Sequence, residues 1–409
     1  MPALSTEWGR PDPWVPAHGS AQVIVDAAAL RSRMVEALKL DPTWRAVFER
    51  VPRHVFVPGF VACWPPEEKG SDGRVLVDSD TDPERWLDLV YSDRLLIIVD
   101  DGERRSSSSS PGAMARFLEL LDVQDGNTVL EVGTGSGYNA ALLCERLGSR
   151  QVISIDIDPK LVEVARMRLA ECAYTPTLAV ADGWGGYPSR APYDRIIATC
   201  SVPRIPEVWI DQLQIGGVIV TPLSGGRFDP SGLVALRRAE DGSLSGRLDR
   251  DGAAFMPMRV SRSAPVERRP STTRADLLTL AESTEGEPRP CTVPPYMLDA
   301  SEPSMPPHFL LRLDETATWE WCWFDGPEGE PKAPAVAAPD GSWARVVMRS
   351  HPIVHQGGPR RLWDMVERNW ERYLRLGRPA MDRYGITVAP DRRQHIWLDS
   401  PESEHRWEL

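Results

Sequence analysis

The stretch Val129-Leu130-Glu131-Val132-Gly133-Thr134-Gly135-Ser136-Gly137-Tyr138 decides the fold of this chain. An apolar run stops at alternating glycines and a helical pattern follows, so the sequence predicts a strand, a tight loop and a helix. Glycines in such a loop let the backbone approach a ligand closely. The dinucleotide-binding pattern G-x-G-x-x-G fails because residue 138 is tyrosine, and the Gly-Lys-Ser/Thr of a phosphate-binding loop does not follow.

Acidic residues follow the next two predicted strands. Asp156 stands 23 residues after Gly133, where a carboxylate can accept hydrogen bonds from both hydroxyls of a ribose. Asp182-Gly183 is expected at an adenine edge, and the strand at 193–199 is expected beneath a transferred methyl group. The pattern predicts S-adenosyl-L-methionine as cofactor, with S-adenosyl-L-homocysteine as the product that leaves. The alternative, a loop that only reverses the chain direction, does not explain Asp156 or Asp182. The predicted cofactor-binding residues are Glu131, Gly133, Thr134, Gly135, Ser136, Gly137, Asp156, Ile157, Asp182 and Gly183.

Residues 111–223 alternate between helical and extended patterns. Alternation of this kind predicts an α/β fold, a doubly wound, mostly parallel sheet of the Rossmann-like methyltransferase type. A smaller α+β domain is expected at the C-terminus. The predicted helices are 111–121, 139–147 and 161–171, and the predicted strands are 128–132, 151–155, 177–180, 195–199 and 218–222.

Composition divides the chain into four predicted segments. Residues 1–22 are expected to form an extended arm, and 23–260 a methyltransferase domain. Residues 261–340 hold 13 of the 38 prolines and form a Pro-rich acidic connector with β segments. Residues 341–409 form an α+β unit with an arginine-rich helix, which is either a solvated face or a docking surface for an acidic peptide substrate.

Charge and cysteine usage exclude several classes of protein. The 409 residues carry a formal net charge of −12, which does not suggest the basic face of a protein that binds duplex DNA. Neither a membrane-spanning apolar run nor a secretory signal pattern is found, so no membrane partner is expected. The six cysteines lie far apart without a C-x-x-C pair, which argues against a structural zinc and against a disulfide scaffold. Scattered thiols predict that the protein resides in the reducing cytoplasm.

Several motifs together resemble the protein-L-isoaspartate (D-aspartate) O-methyltransferase family. They are Val51-Pro52-Arg53-His54-Val55-Phe56-Val57-Pro58, Tyr91-Ser92-Asp93, residues 131–140 and 193–199, Gln212-Leu213 through Gly216-Gly217, and Ala254-Phe255-Met256-Pro257. The resemblance covers roughly residues 25–260. It implies a doubly wound methyltransferase fold and carboxyl methylation of a peptide.

The serine run Arg104-Arg105-Ser106-Ser107-Ser108-Ser109-Ser110-Pro111 departs from that family. The family's substrate loop reads Thr-Ile-Ser-x-Pro, so the resemblance places Ser109 at the matching catalytic serine. Hydroxyls and free N–H groups at a helix N-terminus suit a carboxylate, whereas a flexible linker is the plain alternative. The predicted substrate-binding residues are Ser107, Ser108, Ser110, Thr199 and Ser201, the last two as possible strand-end hydrogen-bonding groups instead.

The chain is longer than the repair enzymes of the family by most of residues 260–409. It resembles longer family members that tailor ribosomally made peptides such as graspetides, lanthipeptides and lasso peptides. The resemblance implies methylation of an ordinary aspartate, whose ester cyclises to an aspartimide that can hydrolyse to isoaspartate. The alternatives are isoaspartyl repair and a cofactor-binding peptide chaperone without turnover. A nucleic-acid methyltransferase is disfavoured by the charge and by the residues at 199–202.

Overall fold

The computed structural model describes residues 21–63, 74–100, 105–223, 232–251, 255–259, 286, 288–294, 320–324, 333–338, 340–348 and 350–409. The predicted arm before residue 21 and most of the Pro-rich connector lie outside this set. The chain forms two compact units, Met1–Ala181 and Asp182–Leu409. Within the described ranges, no helix is both long and apolar enough to cross a bilayer.

Seven helices and seven strands are described in the first unit. Several helices start at a proline that follows a capping side chain, because proline lacks the N–H that a first turn leaves unpaired. Asp41, Asp82, Ser110 and Asp158 are the capping residues. The helices are α1 (Ala21–Leu38), α2 (Pro42–Arg50), α3 (Arg53–Phe56), α4 (Pro83–Val90), α5 (Pro111–Leu121), α6 (Tyr138–Leu147) and α7 (Pro159–Glu171). The strands are β1 (Gly59–Cys63), β2 (Arg74–Asp78), β3 (Leu96–Asp100), β4 (Arg105–Ser108), β5 (Val129–Val132), β6 (Val152–Asp156) and β7 (Thr177–Val180).

The glycine loop sits at the end of a parallel sheet. Strand β5 pairs in parallel with β6, and β6 with β7, in register from Val129 opposite Val152. Strands β5 and β6 are buried throughout, as expected of a sheet covered on both faces by helices. Both strands end at the same edge, so the loop after β5 and the acidic residues after β6 meet there.

A second sheet was not predicted. It is antiparallel, with strand order β2-β1-β3-β4. Strand β2 and the start of helix α4 come from the polar, acidic stretch 74–84. The serine run was expected to be a loop; residues 105–108 instead form β4, because pairing with β3 supplies the hydrogen bonds that serine's weak strand propensity does not favour.

The second unit contains two helices and twelve strands in its described part. Its helices are α8 (Glu207–Gln212) and α9 (Leu362–Arg375). Its strands are β8 (Tyr193–Ala198), β9 (Leu213–Leu223), β10 (Gly232–Arg238), β11 (Leu244–Arg247), β12 (Arg289–Pro290), β13 (Glu320–Phe324), β14 (Ala333–Ala337), β15 (Trp343–Val347), β16 (Ile353–Gly357), β17 (Tyr384–Val388), β18 (Gln394–Leu398) and β19 (Arg406–Glu408).

These strands form two arrangements. In the first, β8 pairs in parallel with β9, and the order continues antiparallel through β10, β11, β17, β18 and β19. In the second, β12 to β16 form an antiparallel sheet against which α9 packs through Trp363 and Trp370. The predicted segment 341–409 is therefore divided between both sheets. The α/β class with an added C-terminal α+β region is confirmed, with more antiparallel strands than the pattern predicted.

Candidate functional site

The glycine loop between β5 and α6 has a backbone that only glycine adopts easily. Gly133, Gly135 and Gly137 have φ angles of 102°, 51° and 88°. A Cβ atom on Gly137 would lie 3.1 Å from the Cβ atom of Ala165, so this glycine also allows α6 to approach α7 closely. The loop is fixed to β6, because the N–H groups of Gly133 and Thr134 donate to the Ile155 carbonyl at 2.8 and 3.1 Å.

A buried hydrogen-bond network supports the loop from beneath. Both oxygens of Glu131 are engaged: Asn139 Nδ2 donates to one at 2.8 Å and Ser154 Oγ to the other at 2.5 Å. Thr134 Oγ1 bonds to Ser154 Oγ at 2.6 Å and thus links the loop to the network. Burial raises the pKa of Glu131 to about 7. The geometry gives Glu131 a supporting position, and its predicted direct role at a cofactor stays a prediction.

Asp156 closes the other side of the loop. Its Oδ2 accepts a hydrogen bond from the Gly135 N–H at 3.0 Å, and its Oδ1 accepts one from the Asp158 N–H at 3.0 Å. The side chain is 7% exposed. Each carboxylate oxygen can accept more than one hydrogen bond, so Asp156 can orient the loop and still bind a hydroxyl. Ser136, whose Oγ accepts from the Tyr138 N–H, and Ile157 flank these groups.

The serine strand β4 lies against the glycine loop. A Cβ atom on Gly135 would lie 3.7 Å from Ser106 Oγ and 3.7 Å from the Ser107 carbonyl oxygen. The two motifs that the sequence assigned to cofactor and to substrate are therefore neighbours in the first unit.

Arg53 holds the serine run in place, and sequence reasoning missed this role. Its guanidinium is 0% exposed. It donates to the carbonyl oxygens of Val90 (2.7 Å), Ser92 (3.1 Å), Arg94 (3.0 Å), Ser108 (3.4 Å) and Ser109 (3.0 Å). Burial lowers its pKa to about 10, which leaves it charged at neutral pH. The signal was a lone arginine inside the apolar, proline-bounded stretch 51–58.

The N-terminus of α5 is occupied by the protein's own side chains. Asp93 Oδ1 accepts from the Gly112 N–H at 2.7 Å, and Ser110 Oγ accepts from the Ala113 N–H at 3.4 Å. Pro111 has no N–H to offer. The expectation that free N–H groups of this helix hold a carboxylate is therefore wrong, and Ser110 is a helix cap.

Ser108 carries a buried hydroxyl on the covered face of β4. Its side chain is 3% exposed, and among the described residues no group bonds to its Oγ. A buried hydroxyl without a partner is costly, and here it stands at the isoleucine position of the family's Thr-Ile-Ser-x-Pro loop. Ser107 and Ser109 are half-buried beside it.

His54 belongs to the packing around Arg53. Its Nδ1 bonds to the Tyr91 hydroxyl at 2.7 Å. Burial and the nearby charge of Arg31 lower the pKa of His54 to about 4, so the ring is neutral at physiological pH. Burial raises the pKa of Tyr91 to about 12. These values describe a structural pair rather than an acid–base pair.

In the second unit, Gln212 braces the loop that follows Asp182. Asp182 Oδ1 accepts from the Trp184 N–H at 3.0 Å, and the Gly183 carbonyl accepts from Trp209 Nε1 at 2.8 Å. Gln212 donates to the Gly185 carbonyl at 3.0 Å and accepts from the Tyr187 N–H at 2.8 Å. The loop is therefore rigid, and the predicted role of Asp182 and Gly183 at the adenine stays a prediction.

Ser201 does not face an open site in the second unit. It is 1% exposed, and its Oγ donates to the Phe255 carbonyl at 3.1 Å. Its backbone N–H bonds to Met256 at 2.9 Å, so the motif at 255–257 serves to hold this strand end. The expectation of a substrate contact by Ser201 finds no support here. Thr199 is half-buried, and its substrate role stays a prediction.

Comparisons with known proteins point to one family. The family model for protein-L-isoaspartate(D-aspartate) O-methyltransferase matches residues 80–262. A protein-L-isoaspartate O-methyltransferase of Methanopyrus kandleri is 34% identical over 236 residues, which are 56% of this chain and 90% of that protein. One of Thermotoga maritima is 38% identical over 140 residues, which are 34% of this chain and 44% of that protein.

A solved structure shows the same fold. It is a protein-L-isoaspartate O-methyltransferase that aligns with a TM-score of 0.51 at 19% identity, over 90% of this chain and all (100%) of that one. At this identity the likeness concerns the fold. Together with the Methanopyrus relative, which is matched over 90% of its length, the motifs and the glycine loop lead to one conclusion: the chain belongs to the protein-L-isoaspartate O-methyltransferase family.

Proposed function

We propose that this protein is an S-adenosyl-L-methionine-dependent O-methyltransferase that esterifies an aspartate side-chain carboxylate in a ribosomally synthesised, modified peptide. The observation that carries the proposal is the contact between the glycine loop and the serine strand, where Ser106 Oγ and the Ser107 carbonyl oxygen border Gly135. A methyl donor held by one and a carboxylate held by the other meet at this point.

The residues of the loop fit the proposed cofactor. Three glycines with positive φ keep the loop free of side chains, and Asp156 places a carboxylate at its edge to accept hydrogen bonds from ribose hydroxyls. When bound, S-adenosyl-L-methionine supplies an electrophilic methyl group on a positively charged sulfur.

The substrate carboxylate needs orientation rather than activation. A side-chain carboxyl has an ordinary pKa near ~4, so it is already the anionic nucleophile at neutral pH and no general base is required. The hydroxyl of Ser109, which follows β4, can donate to the oxygen that does not attack, whereas Ser107 and Ser108 lie on opposite faces of the strand and cannot both reach that oxygen. Arg53 adds a buried positive charge directly behind the Ser109 carbonyl, which favours an anion beside the loop. Positioning of this kind contributes up to ~7–11 kcal/mol in ideal cases.

The methyl ester has a route onward that needs no further enzyme group. The backbone nitrogen of the following residue attacks the ester carbonyl and loses its proton, while the methoxy group leaves as methanol. The product is a five-membered aspartimide, and water can open it to isoaspartate. The peptide-tailoring assignment rests on the serine run and on the 147 residues that follow the family match, which ends at residue 262 of 409.

Repair of isoaspartyl residues in damaged proteins is the second candidate. It is favoured by the relatives, which carry the name protein-L-isoaspartate O-methyltransferase. Both reactions use a carboxylate and the same cofactor, so the site described above serves either. The difference lies in what surrounds the carboxylate.

A competition by mass spectrometry tests the proposal. The full-length protein is incubated with S-adenosyl-L-methionine and, in parallel, with a linear isoaspartyl peptide or with a peptide cyclised through its side chains that carries one ordinary aspartate. We expect the cyclised peptide to gain the mass of one methylene group and then lose methanol, while the linear peptide reacts slowly. Fast turnover of the linear peptide alone establishes repair instead. Binding of both ligands with no mass gain identifies a chaperone.

A further inference from the structure

The loop at residues 199–206 follows β8 and is fixed at two points. Near its start, the Ser201 N–H donates to the Met256 carbonyl at 2.9 Å. Near its end, Ile205 is completely buried. Between these points residues 203 and 204 are exposed. The loop therefore presents a short exposed tip that is held on both sides.

The buried end of this loop is held by one side chain from far along the chain. Gln394, on β18, accepts a hydrogen bond from the Ile205 N–H at 2.9 Å and donates one to the Ile205 carbonyl at 2.7 Å. A primary amide can do both at once. Gln394 is 4% exposed, so these bonds form in the interior. Buried backbone groups without a partner are costly, and Gln394 satisfies both groups of Ile205.

Gln394 is itself fixed within the sheet. It pairs with Val388 of β17, and its carbonyl accepts a hydrogen bond from the Leu409 N–H at 3.0 Å. The turn before β18 makes a second contact, an ion pair of 2.5 Å between Arg392 and Asp211 of α8, whose side chains are 29% and 63% exposed. Because an exposed ion pair contributes little to stability, the anchoring is assigned to Gln394.

The anchored loop lies at an edge of the sheet where ligands usually bind. Strands β8 and β9 are parallel, and α/β sheets form their ligand sites at the carboxyl ends of parallel strands. Thr199, a predicted substrate contact, is the first residue of the loop. Gln394 comes from the region beyond residue 262, where the match to the family model ends. A residue outside that match thus supports a loop inside it.

We propose that Gln394 is a positioning residue for the peptide substrate, because it fixes the tip of the loop 199–206 against which the peptide binds. The inference rests on the proposed function for the identity of its ligand. A loop that is already ordered does not have to be ordered by the peptide, so less of the binding free energy is lost. The region after residue 262 thereby helps to shape the substrate site from within the fold.

Peptide binding, measured without methyl transfer, tests this proposal. The ligands are fluorescein-labelled forms of the cyclised aspartyl peptide and the linear isoaspartyl peptide of the methyl-transfer assay. Their dissociation constants are measured by anisotropy with saturating S-adenosyl-L-homocysteine, for the wild-type protein, Gln394→Met and the control Gln356→Met.

Gln356 is a matched control in the β12–β16 sheet. It is 1% exposed, its Oε1 accepts from the Trp363 N–H at 3.0 Å, and its Nε2 donates to Asp364 at 2.6 Å. Methionine has a similar volume and removes the amide in both variants. Both variants therefore lose buried hydrogen bonds, but only Gln394→Met releases the loop.

We expect Gln394→Met to raise the dissociation constant of the peptide that binds by about 10-fold, since the peptide must then order the loop. Hydrogen exchange at the Ile205 amide should become faster, while the affinity for S-adenosyl-L-homocysteine stays the same. Gln356→Met should melt earlier and bind the peptides as the wild-type protein does. The shorter Gln394→Asn should show a smaller change in the same direction, and it replaces Gln394→Met if that variant does not fold.

Three results overturn the proposal: wild-type peptide affinity in the Gln394 variants, an equal loss of affinity in the Gln356 control, or no measurable binding of either peptide to the wild-type protein. Peptide binding that depends on Gln394, without methyl transfer to either peptide, refutes the proposed function and leaves the positioning role in place.

Discussion

Replacing Arg53 by lysine tests whether the serine run depends on one buried guanidinium. Arginine serves five carbonyl oxygens there, two of them from the serine run. Lysine keeps the charge but has three N–H donors, so at least two carbonyl oxygens lose their partner. At ~1–3 kcal/mol for each unsatisfied buried group, the free energy of unfolding falls by about 2–6 kcal/mol. The melting temperature drops by ~2–4 °C for each kcal/mol in a unit of this size.

Arg168→Lys is the matched control. Arg168 is also buried, but its Nη1 donates at 2.9 Å to the carbonyl of Phe56, away from the serines. Both variants are expected to melt earlier. Only Arg53→Lys should speed amide hydrogen exchange at residues 109–113. It should also lower the rate of methyl transfer by more than the fraction of unfolded protein accounts for.

The assay combines thermal unfolding, hydrogen exchange by mass spectrometry and single-turnover methyl transfer at a temperature where both variants are folded. Wild-type stability in Arg53→Lys refutes the assignment of the five hydrogen bonds. A loss of stability with unchanged exchange at 109–113 shows instead that Arg53 supports the core and not the serine run.

Three further outcomes are expected. Asp156→Ala should weaken binding of S-adenosyl-L-homocysteine by ~10–100-fold in calorimetry, because it removes charged acceptors; unchanged affinity removes Asp156 from the cofactor site. Ser109→Ala should leave that affinity unchanged and slow methyl transfer by ~10–100-fold, as for loss of one positioned donor; unchanged turnover excludes Ser109. The folded pKa of Glu131, about 7, exceeds its ordinary 4.5, so the folded state holds the proton more tightly and stability from this group falls as pH rises from 4.5 through 7. Glu131→Gln should remove this dependence on pH, which amounts to up to ~3 kcal/mol of the free energy of unfolding at pH 8. Denaturant titrations at several pH values measure it.

The elements that the sequence predicted well are those in which the apolar residues follow a single helical or strand periodicity. Strand β7 and helix α5 have the predicted bounds. Strand β5 begins one residue later than predicted and β6 is shifted by one residue at each end, because both are short apolar runs bounded by turn residues. The glycine loop was identifiable because its backbone requires a residue type that the sequence displays. A requirement for one residue type at one backbone position can be recognised without knowing which residues pack against it.

The elements that it missed depend on partners far along the chain. Strand β4 exists because β3 pairs with it, and β2 because β1 does. Residues 385–388 have an extended pattern of their own, but the pairing of β17 with β11, more than a hundred residues away, has no local signal. The role of Arg53 likewise lies in carbonyl groups from residues 90–109, and a backbone acceptor leaves no mark on the identity of its residue.

The five consecutive serines at 106–110 have different surroundings in the structure although their residue type is the same. Pairing of β4 with β3 turns Ser106 and Ser108 to the buried face and Ser107 to the half-exposed one, because successive strand residues alternate. Past the strand, Ser109 presents its carbonyl to Arg53, and Ser110 caps α5. The serine run is therefore uniform in sequence, but its members have different structural roles. Alanine should therefore give different losses at different positions: stability at Ser110, where a helix cap is worth ~1 kcal/mol, and methyl transfer at Ser109, whose hydroxyl is the proposed donor to the substrate.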